Sequence, residues 1–99
     1  MALVEDQSYL AGTFASATQS DYILVEGNAR FELNFGSGTV ALQESFDAVT
    51  WYTAKMPDGT TDASWTADVA LSLFYPVQTY VRFNCTSHSS DITYKLRKG

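Results

Sequence analysis

Apolar and polar residues alternate with a period of two along most of this chain. Phe31, Leu33 and Phe35 alternate with polar residues, and Val40 and Leu42 repeat the pattern a few positions later. Such alternation is typical of β-strands that have one face against a core and the other against solvent. No stretch shows the 3.6-residue period of an amphipathic helix, so we predict an all-β protein.

Turn signals divide the alternating stretches. Gly36-Ser37-Gly38 is predicted to be a hairpin turn, because glycine accepts the positive φ that tight hairpins require. The Met-Pro-Asp-Gly sequence of residues 56–59 is predicted to be a second turn, and residues 86–90 a polar turn. Pro76 is predicted to end a long strand that starts at Trp65, because proline cannot donate to a β-ladder.

These stretches amount to about seven or eight short strands. We predict one domain over residues 1–99, an antiparallel β-sandwich of the immunoglobulin-like type, with a jelly roll as the alternative. Residues 1–20 are weakly patterned, and residues 9–15 are a weaker strand candidate. We therefore expect an extended N-terminal arm over residues 1–20 that becomes ordered when it binds a partner.

The inward phase of the predicted strands defines a core. Cys85 shares its phase with Val81 and is predicted to be a buried free thiol, since a single cysteine cannot form an internal disulfide. Phe46 also falls on an inward phase, and Glu44 is the one charged residue there. The core prediction comprises Phe31, Leu33, Phe35, Leu42, Trp51, Phe83, Cys85 and Tyr94.

Composition adds a hint about partners. Hydrophobic residues make up 45% of the chain and charged residues 17%, which excludes intrinsic disorder. Aromatic residues make up 14%, more than a core of this size needs, so we expect some of them to contact a partner. The candidate interface residues are Tyr52, Trp65, Tyr75 and Tyr80.

Charge argues against nucleic acid as a partner. Eleven acidic and six basic residues give a net charge of −5, and Arg30 is the only base in the first 54 residues. Nucleic-acid binders instead carry a basic stripe that neutralises phosphates. We expect Lys95, Arg97 and Lys98 to form a solvated end that keeps an edge strand soluble. No apolar run approaches the ~18 residues of a membrane helix, so no membrane partner is predicted.

The sequence contains few side chains that are suited to catalysis. His88 is the only histidine and is expected to be exposed in a serine-rich turn. Glu44 and Asp47 could be imagined as an acid/base pair, but we expect Asp47 to bond local backbone amides as a turn former. One cysteine and one histidine exclude a zinc site. We predict no catalytic residue, metal or cofactor; a hydrolase that uses His88 ranks last among the hypotheses.

Two stretches resemble known families. Residues 45–51, Ser-Phe-Asp-Ala-Val-Thr-Trp, resemble a shortened Asp-box hairpin, Ser-x-Asp-x-Gly-x-Thr-Trp, without its glycine. Residues 38–47, Trp51 and residues 80–86 resemble stretches of short virion proteins of tailed bacteriophages. The spacing from Trp51 to the aromatic-x-Cys of residues 83–85 is also similar to that of immunoglobulin domains, without their first cysteine.

The phage resemblance implies a non-enzymatic structural protein of the virion. The implied role is a capsid decoration (cement) protein, assembled in the host cytoplasm and present in many copies or as a homo-oligomer. Its partners would be capsid or tail proteins, and a tail or fibre component is the alternative. The residues themselves leave a second class open, a carbohydrate-binding module that stacks sugars on Tyr52, Trp65 or Tyr75.

Overall fold

A computed structural model describes residues 9–56 and 58–98. Within them the backbone forms an antiparallel β-sheet of five strands and no helix, which confirms the all-β prediction. The strand order is β1-β5-β2-β3, and β4 also pairs with β2. The strands are β1 (Tyr9–Phe14), β2 (Ile23–Ser45), β3 (Tyr52–Thr53), β4 (Ser64–Trp65) and β5 (Val69–Lys98).

Two long strands carry the fold. β2 has 23 residues and β5 has 30. In a first ladder, residues 23–33 of β2 pair with residues 69–81 of β5. In a second ladder, residues 29–45 pair with residues 80–98. The structure therefore has five strands rather than the predicted seven or eight, because the chain passes through several predicted turns without leaving the sheet.

The hairpin turn predicted at residues 36–38 and the polar turn predicted at residues 86–90 are both wrong. The two segments lie opposite each other in the second ladder, with Gly38 paired to His88 and register shifts close by. β2 and β5 thus continue through this region as paired strands. We call this irregular part of the second ladder the bend.

The glycines of the bend are explained by a close approach of β5. A Cβ atom on Gly38 would lie against the carbonyl oxygen of Ser87, and the φ of Gly38 is 147°. A Cβ atom on Gly36 would lie against the side chain of Ser90 and the carbonyl oxygen of Asp91. Any larger residue would push the two strands apart. Glycine is therefore needed here for the close approach of the two strands and not for a hairpin turn.

Pro76 does not end its strand, in contrast to the prediction. The first ladder pairs Gly27 with Tyr75 and then Val25 with Thr79, so extra residues of β5 bulge out between these pairs. A bulge is one of the few places where a sheet tolerates proline, because no ladder hydrogen bond is needed from it. The long strand predicted from Trp65 is instead interrupted between β4, which ends at Trp65, and β5, which begins at Val69.

The N-terminal part of the described chain is an edge strand. β1 pairs with residues 92–97 of β5, so the predicted arm is not seen over β1, and residues 1–8 of that prediction lie outside the described residues. Residues 92–97 lie between β1 and β2. The expectation that Lys95 and Arg97 protect an edge strand is therefore wrong, since their strand has a neighbour on each side.

The core is one hydrophobic cluster that comes mainly from the buried faces of β1, β2 and β5. The ring centroids of Phe31 and Phe83 are 5.6 Å apart, and those of Phe83 and Tyr94 are 5.5 Å apart. Of the predicted core residues, Phe35 and Tyr94 are partly buried and pack against the core. The fully enclosed ones are Phe31, Leu33, Leu42, Phe83 and Cys85.

The bend can be tested with Gly38→Ala. Strain from the close approach to Ser87 is expected to lower the free energy of unfolding by about 1–3 kcal/mol. Urea denaturation measures this loss. Gly27→Ala is the control, because Gly27 also has a positive φ of 92° but no atom within 4 Å of its Cβ position. Equal losses in the two variants would mean that backbone conformation alone explains Gly38.

Candidate functional site

Three aromatic rings and an arginine form a cluster on the outer side of the second ladder. The guanidinium carbon of Arg82 lies 4.1 Å from the centroid of the Trp51 ring. The ring of Tyr22 lies 5.8 Å from that of Trp51 and 5.7 Å from that of Tyr80. Arg82 Nε donates a hydrogen bond of 2.7 Å to Gln43 Oε1. We call Tyr22, Trp51, Tyr80 and Arg82 the aromatic face.

Strand alternation places this cluster outside the core. Val81 and Phe83 are fully buried, so Tyr80 and Arg82 point to the opposite side of β5. The prediction of Trp51 as a core residue is wrong, because Trp51 is half-buried against Arg82 on the outer side. Trp51 lies outside the strands, where period-two alternation no longer decides which side a residue faces.

Three large apolar side chains are exposed around Trp51, two in the loop before it and one in β3 directly after it. Phe46 is 79% exposed, Val49 80% and Tyr52 68%. We call these three residues the apolar loop. The inward phase predicted for Phe46 is wrong because β2 ends one residue earlier, at Ser45. Apolar side chains that are clustered and exposed in this way mark interaction surfaces.

Asp47 fixes the shape of the apolar loop. Its Oδ1 accepts hydrogen bonds of 2.9 Å from the backbone amides of Val49 and Thr50, and another of 2.9 Å from the Ser45 hydroxyl. The Ser45 oxygen in turn accepts from the amide of Ala48 at 2.9 Å. The backbone amides of Thr50 and Val49, followed by the Ser45 hydroxyl, lower the pKa of Asp47. The turn-former interpretation of Asp47 is confirmed.

Glu44 and Tyr75 meet at the inner side of the sheet. Burial raises the pKa of Glu44, and the neighbouring Tyr75 hydroxyl partly offsets this rise. Burial and the charge of Glu44 raise the pKa of Tyr75. The Tyr75 hydroxyl makes no hydrogen bond of ordinary geometry, although it is close enough to feel the carboxylate. Tyr75 is buried and is therefore unavailable as an interface residue.

The other candidate interface residues have different environments. Tyr52 is exposed in the apolar loop, and Tyr80 is half-buried in the aromatic face. Trp65 packs against Phe31 with 5.1 Å between ring centroids, so it helps to cover the core. Of the four candidates, only Tyr52 and Tyr80 therefore lie on the surface formed by the apolar loop and the aromatic face.

The site also contains residues that the sequence argument missed. Val49 is 80% exposed beside Phe46, and Arg82 supplies the positive charge of the aromatic face. A signal for Val49 was present, because a turn-forming aspartate two positions earlier marks the end of strand alternation. The contact between Arg82 and Trp51 depends on how the loop folds back and has no local signal.

Cys85 and His88 both have polar neighbours in the structure. Burial raises the pKa of the Cys85 thiol, which donates a 3.3 Å hydrogen bond to the Ser87 carbonyl oxygen. A buried free thiol was predicted, and this is confirmed. His88 is half-buried within β5 rather than exposed in a turn, with Nε2 3.5 Å from Asp91 Oδ1. A protonated thiol is a poor nucleophile.

Comparisons with protein-family models, with curated proteins and with solved structures find no match to this chain. Within the described residues, no group of three or more potential metal ligands comes together. No helix in that part of the chain is long and apolar enough to span a membrane. The functional argument therefore rests on the surfaces described above.

Strain in the apolar loop can be tested with Ala48→Gly. Ala48 has a φ of 60° and is the one non-glycine residue with positive φ among those described. Glycine at this position is expected to raise the free energy of unfolding by about 0.5–1 kcal/mol, because it removes the Cβ clash of the left-handed conformation. Thermal unfolding measures the gain. Ala67→Gly, at an exposed alanine without positive φ, should lower stability instead.

The environment of Glu44 can be tested through pH. Because its pKa is raised in the folded state, the ionised carboxylate destabilises the fold, and stability falls as pH rises through that pKa. Glu44→Gln is expected to be more stable than the parent at pH 7. The gain should be less than about 1 kcal/mol, since solvent screens a half-exposed carboxyl. Below pH 4.5, the ordinary pKa of a glutamate, this gain in stability should no longer change with pH.

The measurement for Glu44→Gln is a series of denaturation curves between acidic and neutral pH. Glu26→Gln is the matched control, because Glu26 is an exposed glutamate on the same strand. A gain from Glu44→Gln that is equally large at acidic pH would show that ionisation of Glu44 is not its cause.

Proposed function

We propose that this chain is a non-enzymatic structural protein of a tailed-phage virion, a capsid decoration protein that binds capsid subunits through its apolar loop. The aromatic face, next to the loop, would extend the same contact. The observation that carries the proposal is that Phe46, Val49 and Tyr52 are largely exposed, the first two on a loop whose shape Asp47 fixes and the third in β3 next to it. A preorganised loop loses little conformational entropy when it docks.

Simple energetics favours an assembly of many copies. Complete burial of a large apolar side chain stabilises by about 1.5–3 kcal/mol, so three residues contribute about 5–9 kcal/mol. Loss of translational and rotational freedom on association costs about 4–15 kcal/mol. A single copy bound through this loop would therefore be held weakly. Copies linked as a homo-oligomer, or arrayed on a capsid lattice, gain avidity without any new contact.

The choice of a virion partner follows from the sequence resemblance. The stretches that resemble phage virion proteins are neighbours in the structure, since Leu42 of β2 pairs with Phe83 of β5 and Trp51 stacks on Arg82. Stretches that are adjacent in the fold can present their outward side chains, such as those of Trp51 and Arg82, to one partner. The unpaired thiol of Cys85 suits assembly in a reducing host cytoplasm.

We also propose the finer fold, a small β-sandwich with immunoglobulin-like connections and a jelly roll as the alternative. The support is the contact of Phe31 and Phe83, which belong to parts of the sheet on either side of the bend. Two inner faces that interdigitate in this way are the basis of sandwich packing.

The alternative functions are a tail or fibre component and a carbohydrate-binding module. A tail or fibre component would use the apolar loop in the same way with a different virion partner. A carbohydrate-binding module needs exposed rings, and of the three predicted platform residues only Tyr52 is exposed. Trp65 packs against the core, and Tyr75 is buried within it. The protein interface is therefore the better supported function.

The proposal predicts that Val49→Asp weakens co-sedimentation with capsids that lack this protein by about tenfold or more, because a charge must be desolvated at the contact. The matched control is Val77→Asp, a valine that is 52% exposed and lies outside the apolar loop. The control variant should bind as the parent does.

Two results would contradict the proposal. Parental binding by Val49→Asp would exclude the apolar loop as the contact. A chain that responds to a glycan array and does not co-sediment with capsids or tails would favour the carbohydrate-binding module. Thermal unfolding of each variant separates lost binding from lost folding.

A further inference from the structure

A groove of about 540 Å³ lies on the outer side of β1, β2 and β5, away from the apolar loop. Its residues come from four adjacent strand segments, because residues 92–97 lie between β1 and β2, and the start of β5 pairs with β2 on its other side. We call it the basic groove. The residues that define it are Tyr9, Asn28, Arg30, Ser72, Lys95 and Arg97.

The basic groove concentrates positive charge in an acidic protein. The chain has six basic residues and a net charge of −5, yet Arg30, Lys95, Arg97 and Lys98 all line this groove. Among its lining residues only Glu32 is acidic. The sequence shows three of these bases near the C-terminus, and the β-ladder adds Arg30 from a strand far away in the chain.

Two arginines face each other in the groove. Arg30 and Arg97 are direct partners in the second ladder. Like charges placed directly opposite each other on one face destabilise a sheet. Glu32 compensates weakly, because its Oε2 lies 4.0 Å from Arg30 Nε and both side chains are about half exposed. Arg97 stacks on the ring of Tyr9 at 4.9 Å, and no carboxylate among the described residues pairs with it.

We propose that the basic groove binds an acidic peptide segment of a protein partner, with a carboxylate held between Arg30 and Arg97. Guanidinium groups bind carboxylates through two parallel N–H···O bonds, which suits a pair of arginines on adjacent strands. The incoming carboxylate removes the repulsion that the pair carries in the free protein. Lys95 supplies a further positive charge to a neighbouring acidic residue of the peptide.

The rim of the groove fits a peptide better than a nucleic acid. Phe74, 66% exposed, is the ladder partner of Asn28 and offers an apolar contact beside the charges. Proteins that bind duplex DNA neutralise roughly six to ten phosphates, whereas this groove has four bases within a chain of net charge −5. A short acidic segment with an apolar residue matches both the size and the chemistry.

The test uses a fluorescein-labelled peptide of about six glutamates and one leucine, titrated with the full chain at low salt. Anisotropy should show saturable binding that weakens with added salt. Arg97→Gln and Arg30→Gln should each weaken binding by about tenfold. Arg30→Lys keeps the charge but loses the paired hydrogen bonds, so it should weaken binding by less.

The matched control is Lys55→Gln, which removes a positive charge at an exposed lysine outside the groove. It should bind the peptide as the parent does. Absence of binding at low salt, or equal weakening by Lys55→Gln, would overturn the proposal. Tighter binding of oligothymidylate or of a heparin fragment than of the peptide would replace the peptide with another polyanion. Val49→Asp should leave peptide binding unchanged, so this result is independent of the apolar loop.

Discussion

The close approach of β5 to two glycines of β2 is the constraint on which the rest of the structure depends. At the bend, the backbone and side chains around Ser87 and Ser90 occupy the space that Cβ atoms on Gly38 and Gly36 would need. Both strands stay paired through this contact, with register shifts beside it. The inward faces on either side of the bend then meet through Phe31 and Phe83, and the core closes.

The core could be predicted from sequence because period-two alternation is a local property. Leu33, Leu42 and Phe83 follow it and are buried. The prediction failed where the alternation stops. The turn at Asp47 ends the strand pattern, so the inward positions predicted for Phe46 and Trp51 are wrong. The hairpin prediction failed for another reason. A glycine signals positive φ and close backbone approach equally well, and sequence alone does not separate the two.

The chemistry of the two surfaces depends on strand register, which no local pattern encodes. Glu44 stood out in the sequence as a charge on an apolar phase, but the buried Tyr75 beside it belongs to a different strand. Arg30 and Arg97 are far apart in the chain and become neighbours only through the second ladder. From sequence alone, the bases near the C-terminus suggest an exposed sheet edge. The reason is that β1, the strand that covers this edge, shows only a weak strand pattern.

Salt separates the roles of the two surfaces. Charge interactions in the basic groove are screened over about 10 Å at 0.1 M salt, about twice the spacing of neighbouring strands. At that ionic strength the groove presents its own local charge to a partner, and the carboxylates elsewhere on the chain contribute little there. Burial of the apolar loop is insensitive to screening. Under the two proposals, the groove therefore orients an acidic partner, and the loop holds a partner once contact is made.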